Sequence, residues 1–171
     1  GYSSNTGRAY IFYNDGSIPT TAATADVTIT GEASSGFGIA LTSGDFNTDS
    51  RTDLVVGGHF YSSNTGRAYI FYNDGSIPTT AATADVTITG EATSNYFGGA
   101  LTAGDFNADG RTDFAVGSNE YSSTTGRAYI FYNDGSIPTT AATADVTITG
   151  ETTSTSFGIS FTSGDFNSDA R

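Results

Sequence analysis

The sequence predicts an all-β fold built from four-stranded antiparallel sheets, each shaped as a propeller blade. Three observations predict it. First, TGRAYIFYNDGSIPTTAATADVTITGE recurs without one change at Thr6–Glu32, Thr65–Glu91 and Thr125–Glu151, and acidic loops follow at Asp45, Asp105 and Asp165. The period is 60 residues, apart from one deletion before Phe37. A period of that size marks a solenoid, a propeller or a tandem array. Second, every apolar stretch of the repeat has the length and pattern of a strand, and turn residues separate the stretches. Third, no segment carries a sustained helical period.

In chain order, RAYIFY (Arg8–Tyr13) is apolar on both faces and stops at NDGS, a turn signal. ADVTITG (Ala25–Gly31) alternates Val27 and Ile29 against Thr28 and Thr30, as a half-buried strand does. FGIALTSGDF (Phe37–Phe46) alternates Phe37, Ile39 and Leu41 against the small Gly38 and Ala40. TDLVVGG (Thr52–Gly58) is a short continuous apolar run, as expected of a strand covered on both faces. Inner strands buried on both sides and a half-exposed outer one suit sheets stacked about an axis. A β-solenoid is the rival, but its coils take roughly 20–30 residues. The expected division is a partial blade over 1–36, blades over 37–96 and 97–156, and a partial blade over 157–171, eleven strands in all. Propellers close with ~4–8 blades. The 171 residues therefore read as a segment of a larger propeller or array, with a closed homo-oligomer of swapped strands as the alternative.

Composition removes several functions. There is no cysteine, so disulfides and thiolate chemistry are out of reach. All six basic residues are arginines, and against 18 acids they leave a formal charge of −12. That balance argues against nucleic acid and anionic membranes as partners. No apolar run approaches the ~20 residues of a membrane span. Ten tyrosines and 12 phenylalanines supply a packed core, so the acidic, Gly-rich composition does not mean disorder.

Charge is concentrated in GDFNTDSRTDLVVG (Gly44–Gly57). Asp45, Asn47, Asp49 and Asp53 occupy positions 1, 3, 5 and 9 of a short loop, and the Arg51 carbonyl is available at position 7. Two carboxylates ~5 Å apart repel by roughly 3 kcal/mol at an effective dielectric of ~20. Arg51 alone cannot offset three aspartates. Alternating oxygen donors suit a hard cation, and five protein groups plus water favour Ca2+ over the stricter octahedron of Mg2+. An EF-hand is excluded because its position 12 requires glutamate and here holds Val56 or Val116. An ordinary Asx-rich turn is the competing reading of one loop. Recurrence in register weakens it: Asp105, Asn107, Asp109, Arg111 and Asp113 repeat the pattern in full, and Asp165, Asn167 and Asp169 repeat its start.

FGIALTSGDFNTDSRTDLVVGG and FGGALTAGDFNADGRTDFAVGS closely resemble FG-GAP repeats, the propeller blades of integrin α subunits and of many secreted bacterial proteins. The resemblance covers essentially the whole chain. It implies a calcium ion between the first two strands of each blade. The ligands would be Asp45, Asn47, Asp49, the Arg51 carbonyl and Asp53, then Asp105, Asn107, Asp109, the Arg111 carbonyl and Asp113. The third loop matches through Asp165, Asn167 and Asp169. Ser50 and Ala170 stand where the family often has the glycine that Gly110 keeps.

Nothing else in the sequence points to catalysis. His59 is the only histidine and Asn119 replaces it in the next copy, so it reads as a loop residue. No G-x-S-x-G elbow is present, and the remaining acids (Asp15, Asp26, Glu32 and their copies) fall at turns and strand ends. Tyr10 and Tyr13 read as packing residues. Differences between copies cluster at Ala33–Gly36 and Gly58–Phe60 with their equivalents. A ligand site is thus expected on every blade or at these varied loops. The expected function is a calcium-stabilised, non-catalytic module of an extracellular or cell-surface protein, for adhesion or for recognition of a protein or glycan. The alternatives are the repeat unit of a surface filament, stalk or sheath, and the accessory propeller of a secreted enzyme.

Overall fold

The computed structural model describes residues 5–166, which form ten strands in three antiparallel sheets. β1 (Arg8–Ile11) pairs with β2 (Val27–Thr30). β3 (Phe37–Gly44), β4 (Asp53–Gly58), β5 (Arg67–Phe71) and β6 (Val86–Thr89) form a four-stranded sheet in chain order. β7 (Leu101–Gly104), β8 (Asp113–Ser118), β9 (Arg127–Phe131) and β10 (Val146–Thr149) repeat that meander.

Burial follows the sequence pattern. β8 is buried along its whole length and β4 nearly so, whereas β2 and β6 bury Ile29 and Ile88 and leave their threonines partly exposed. The core lies between neighbouring sheets. Ala9 and Ile29 pack with Phe37, Val56, Tyr69 and Phe71. Phe46, Val55 and Ile70 pack with Phe97, Phe114, Val116 and Phe131. Phe97 meets Tyr129 edge-on at 5.2 Å, as Phe37 meets Tyr69 at 5.3 Å.

Backbone contacts also cross each junction. The Thr30 N–H donates to the Thr79 carbonyl at 2.9 Å, and Thr89 to Thr139 at 3.1 Å. The loop after β5 or β9 thus lies along the outer strand of the sheet before it. Gly57 abuts the Gly98 carbonyl closely enough that no Cβ fits between them. Short 3-10 turns at Ala22–Thr24, Ala81–Thr83 and Ala141–Thr143 begin at a threonine whose hydroxyl accepts from the backbone two residues on.

Two expectations change. The eleventh strand, over 157–166, does not form among the described residues, where Phe157 makes only a bridge to Gly126. β3 and β7 are held by the strand that follows each, and this segment has no such partner among the described residues. Ile39 and Leu41 do not share the burial of Phe37: they are 54% and 46% exposed. The ladder shifts register between Phe37 and Leu41, and among the described residues two strands form the sheet ahead of β3. Leu101, at the matching place in the next repeat, packs against the core.

Candidate metal centre

The two complete acidic loops join β3 to β4 and β7 to β8, and pairing of Gly44 with Asp53 and of Gly104 with Asp113 closes each at its base. Positive φ angles at Thr48 and Ser50 curl the first loop. That curl turns alternate side chains inward, where backbone N–H groups meet them. Asp45 accepts from Asp49 N at 3.1 Å and from Ser50 N at 2.8 Å. Asn47 Oδ1 accepts from Asp49 N at 3.0 Å, and Asp49 Oδ1 from Arg51 N at 2.8 Å. The second loop repeats the pattern with Asp105, Asn107 and Asp109, with Gly110 in place of Ser50.

Asp53 and Asp113 differ from the rest because they are fully buried. Asp53 accepts from Phe46 N and Asn73 N, and Asp113 from Phe106 N and Asn133 N, all at 2.8 Å. Burial pushes both carboxyls above the usual carboxylate value, and the neighbouring aspartates add to the rise. The two backbone N–H groups oppose it. The charged form is thus disfavoured where a cation would favour it.

Among the described residues, no three acidic or imidazole side chains stand close enough to hold an ion by themselves. A cation would also need the Asn47 or Asn107 amide, the Arg51 or Arg111 carbonyl, and water. This all-oxygen donor set fits Ca2+ and suits neither zinc nor copper. Asp165 is exposed, while Asn167 and Asp169 lie outside the described residues.

Other expected features settle as follows. His59 sits in the β4–β5 connection, half-buried against Phe60 and Tyr96, with ring centroids 3.9 and 5.8 Å away. Burial lowers its pKa below the usual imidazole value. Tyr69 and Tyr129, the counterparts of Tyr10, are fully buried, whereas Tyr13 is exposed. The varied loops meet: Phe60 N donates to the Ser35 carbonyl at 3.0 Å. By topology they lie at the strand ends opposite the acidic loops.

Two groups of residues were not anticipated. NDGS reads as turn chemistry, yet Asn73 and Asn133 bind the buried aspartate through their N–H and the loop arginine through their carbonyl. Their fixed spacing of 20 residues after Asp53 and Asp113 was the available signal. Glu32 is more than a strand-end acid. It crosses to the next repeat, accepting from Arg67 at 3.2 Å and from the Tyr69 hydroxyl at 2.8 Å. Arg67 lies 3.6 Å over the Tyr61 ring, and Arg127, Glu91 and Tyr121 repeat the ion pair and the stacking.

Residues 45–116 match the model of the FG-GAP-like repeat family. Bovine phosphatidylinositol-glycan-specific phospholipase D is 33% identical over 148 residues, 78% of this chain and 17% of that protein. Integrin alpha-4 of Xenopus laevis is 35% identical over 58% of the chain, and integrin alpha-PS5 of Drosophila melanogaster 37% over 57%. The chain spans less than a fifth of the length of each. Among the described residues, no helix is long and apolar enough to cross a membrane.

Proposed function

This chain carries FG-GAP-like repeats of the integrin α type, and on that premise we propose that it is a calcium-stabilised propeller module that recognises a protein or glycan outside the cell and catalyses nothing itself. One observation carries the metal assignment. Five oxygen donors occur in the same order in two loops 60 residues apart, each curled between the same two strands and ending on a buried aspartate. Asp45, Asn47, Asp49, the Arg51 carbonyl and Asp53 would hold one ion. Asp105, Asn107, Asp109, the Arg111 carbonyl and Asp113 would hold the other, and Asp165, Asn167 and Asp169 would begin a third site. Bound calcium supplies the positive charge that the crowded carboxylates need. The chain's own part is to present those oxygens already curled and so to fix the turn joining the first two strands.

Recognition is assigned to the opposite end of the sheets. There the Ala33–Gly36 and Gly58–Phe60 loops and their equivalents are where the copies differ, while the acidic loops are nearly the same in each. A second reading, an accessory propeller of a secreted enzyme, is favoured by the likeness to the phospholipase D.

Thermal unfolding in millimolar calcium and in chelator tests the metal assignment. Extracellular modules bind calcium at ~0.1–1 mM, so about 10 mM calcium stands at roughly 10–100 times Kd and adds roughly 1.4–2.7 kcal/mol per site. Each kcal/mol raises Tm by roughly 2–4 °C in a protein of this size. Superimposed melting curves would remove calcium from the account.

A further inference from the structure

We propose that Asn133 couples cation binding at the two complete acidic loops, so that filling one favours filling the other; this rests on the calcium reading above. Asn133 is 3% exposed and joins both loops. Its N–H donates to Asp113 Oδ1 at 2.8 Å, and its carbonyl accepts from Arg111 Nη1 at 3.0 Å. Both partners belong to the loop of its own repeat. Its side-chain Nδ2 instead donates to the backbone carbonyl of Asp45, 88 residues away, at 3.5 Å. Asp45 is the first donor of the preceding loop, and its carboxylate gathers the Asp49 and Ser50 N–H groups there. The two loops also face one recess of about 300 Å³, with Asn47 and Thr48 on one side and Arg111, Asn133 and Asp134 on the other.

A cation in the 105–113 loop draws on the Arg111 carbonyl and the Asp113 carboxylate, the two residues that fix the Asn133 backbone. A fixed Asn133 aims its amide at Asp45 and lowers the ordering cost of the 45–53 loop. Linkage makes the effect reciprocal. Its size is limited because a 3.5 Å contact lies at the long end of hydrogen-bond geometry. The weak end of the net hydrogen-bond range, about 0.5 kcal/mol, corresponds to ~2-fold in the second binding step. The chain contains its own control. Asn73 makes the same two backbone bonds in the preceding repeat, at 2.8 and 3.3 Å, but among the described residues its amide reaches no other loop.

The test is calorimetric titration of the whole chain with calcium, comparing wild type with Asn133→Asp, Asn133→Ala and Asn73→Asp. Asn133→Asp keeps the shape but replaces the donor to Asp45 with a carboxylate, Asn133→Ala removes the donor without adding charge, and Asn73→Asp controls for the added charge; circular dichroism in chelator checks folding. The expected result is a second step ~2-fold tighter than independent sites allow in wild type and Asn73→Asp, and no such gain in either Asn133 variant. Two independent sites in wild type, or a gain that survives both Asn133 changes, would overturn the coupling and leave the calcium reading intact. No binding by wild type would overturn the calcium reading, and the coupling with it.

Discussion

Replacing Asp113 by alanine should unfold the protein more readily even in chelator, whereas replacing Asp105 should matter mainly when calcium is present. The two residues serve one loop but sit in opposite surroundings. Asp113 is fully buried, and its oxygens are the acceptors for Phe106 N and Asn133 N. Alanine leaves both donors without a carboxylate, and hydrogen bonds to a charged group contribute roughly 1.5–3 kcal/mol each. Removing a buried carboxylate recovers part of its desolvation cost, so the net loss expected is ~3–4 kcal/mol. Asp105 is exposed and accepts from Asp109 N and Gly110 N, which water can satisfy in its place. Its loss in chelator is therefore about 1 kcal/mol or less. Urea unfolding followed by far-UV circular dichroism, with and without calcium, gives all four values. Equal losses for the two variants in chelator would refute the claim that the buried aspartate is a structural acceptor before it is a ligand.

Gly57→Ala should destabilise by at least ~2–3 kcal/mol, because its Cβ would fall on the Gly98 carbonyl and backbone cannot yield as a side chain can. Melting temperature checks it. Glu32→Ala should cost ~1 kcal/mol more than Glu91→Ala in denaturant titrations, since only Glu32 also accepts from a fully buried hydroxyl, that of Tyr69. Ser50→Gly should raise stability by about 0.5–1 kcal/mol in chelator, as Ser50 stands at φ 66 where Gly110 sits in the next copy. His59 contributes to acid sensitivity. Its folded pKa is lowered, so the unfolded chain takes up the proton first as pH falls through ~6.5. Stability from this group is full above that pH and declines below it. His59→Asn, the residue found at Asn119, should therefore lose less Tm between about pH 7 and pH 5.5 than wild type does.

Strand identity was legible in the sequence because each strand declares its own burial. VVGG is apolar on both faces and VTIT on one, and β4, β2 and β6 are covered accordingly, whereas β10, also VTIT, leaves Ile148 exposed. The curled acidic loops, whose side chains accept backbone N–H groups, were legible because their spacing is short and local. What crosses between repeats was not. Glu32 meets Arg67, and Asn133 meets Asp45, across separations that a single repeat cannot reveal. The exposure of Ile39 and Leu41 was hidden for a related reason: alternation does not show the register shift between Phe37 and Leu41. Alternation predicts which face a residue occupies, not whether a neighbour covers that face.

A chain of interchangeable parts faces an addressing problem while it folds. The Thr79–Thr80 loop and the Thr139–Thr140 loop are the same sequence, as are the strands that receive them. Nothing in those contacts tells a strand which loop is its own. Correct assembly then relies on short tethers between consecutive units, which let the nearest match arrive first. The clustered rings of His59, Phe60 and Tyr96 join positions that later copies fill with Asn119, Glu120 and Ser156. They label one seam by chemistry, so erasing those rings removes a safeguard against slippage by a whole unit.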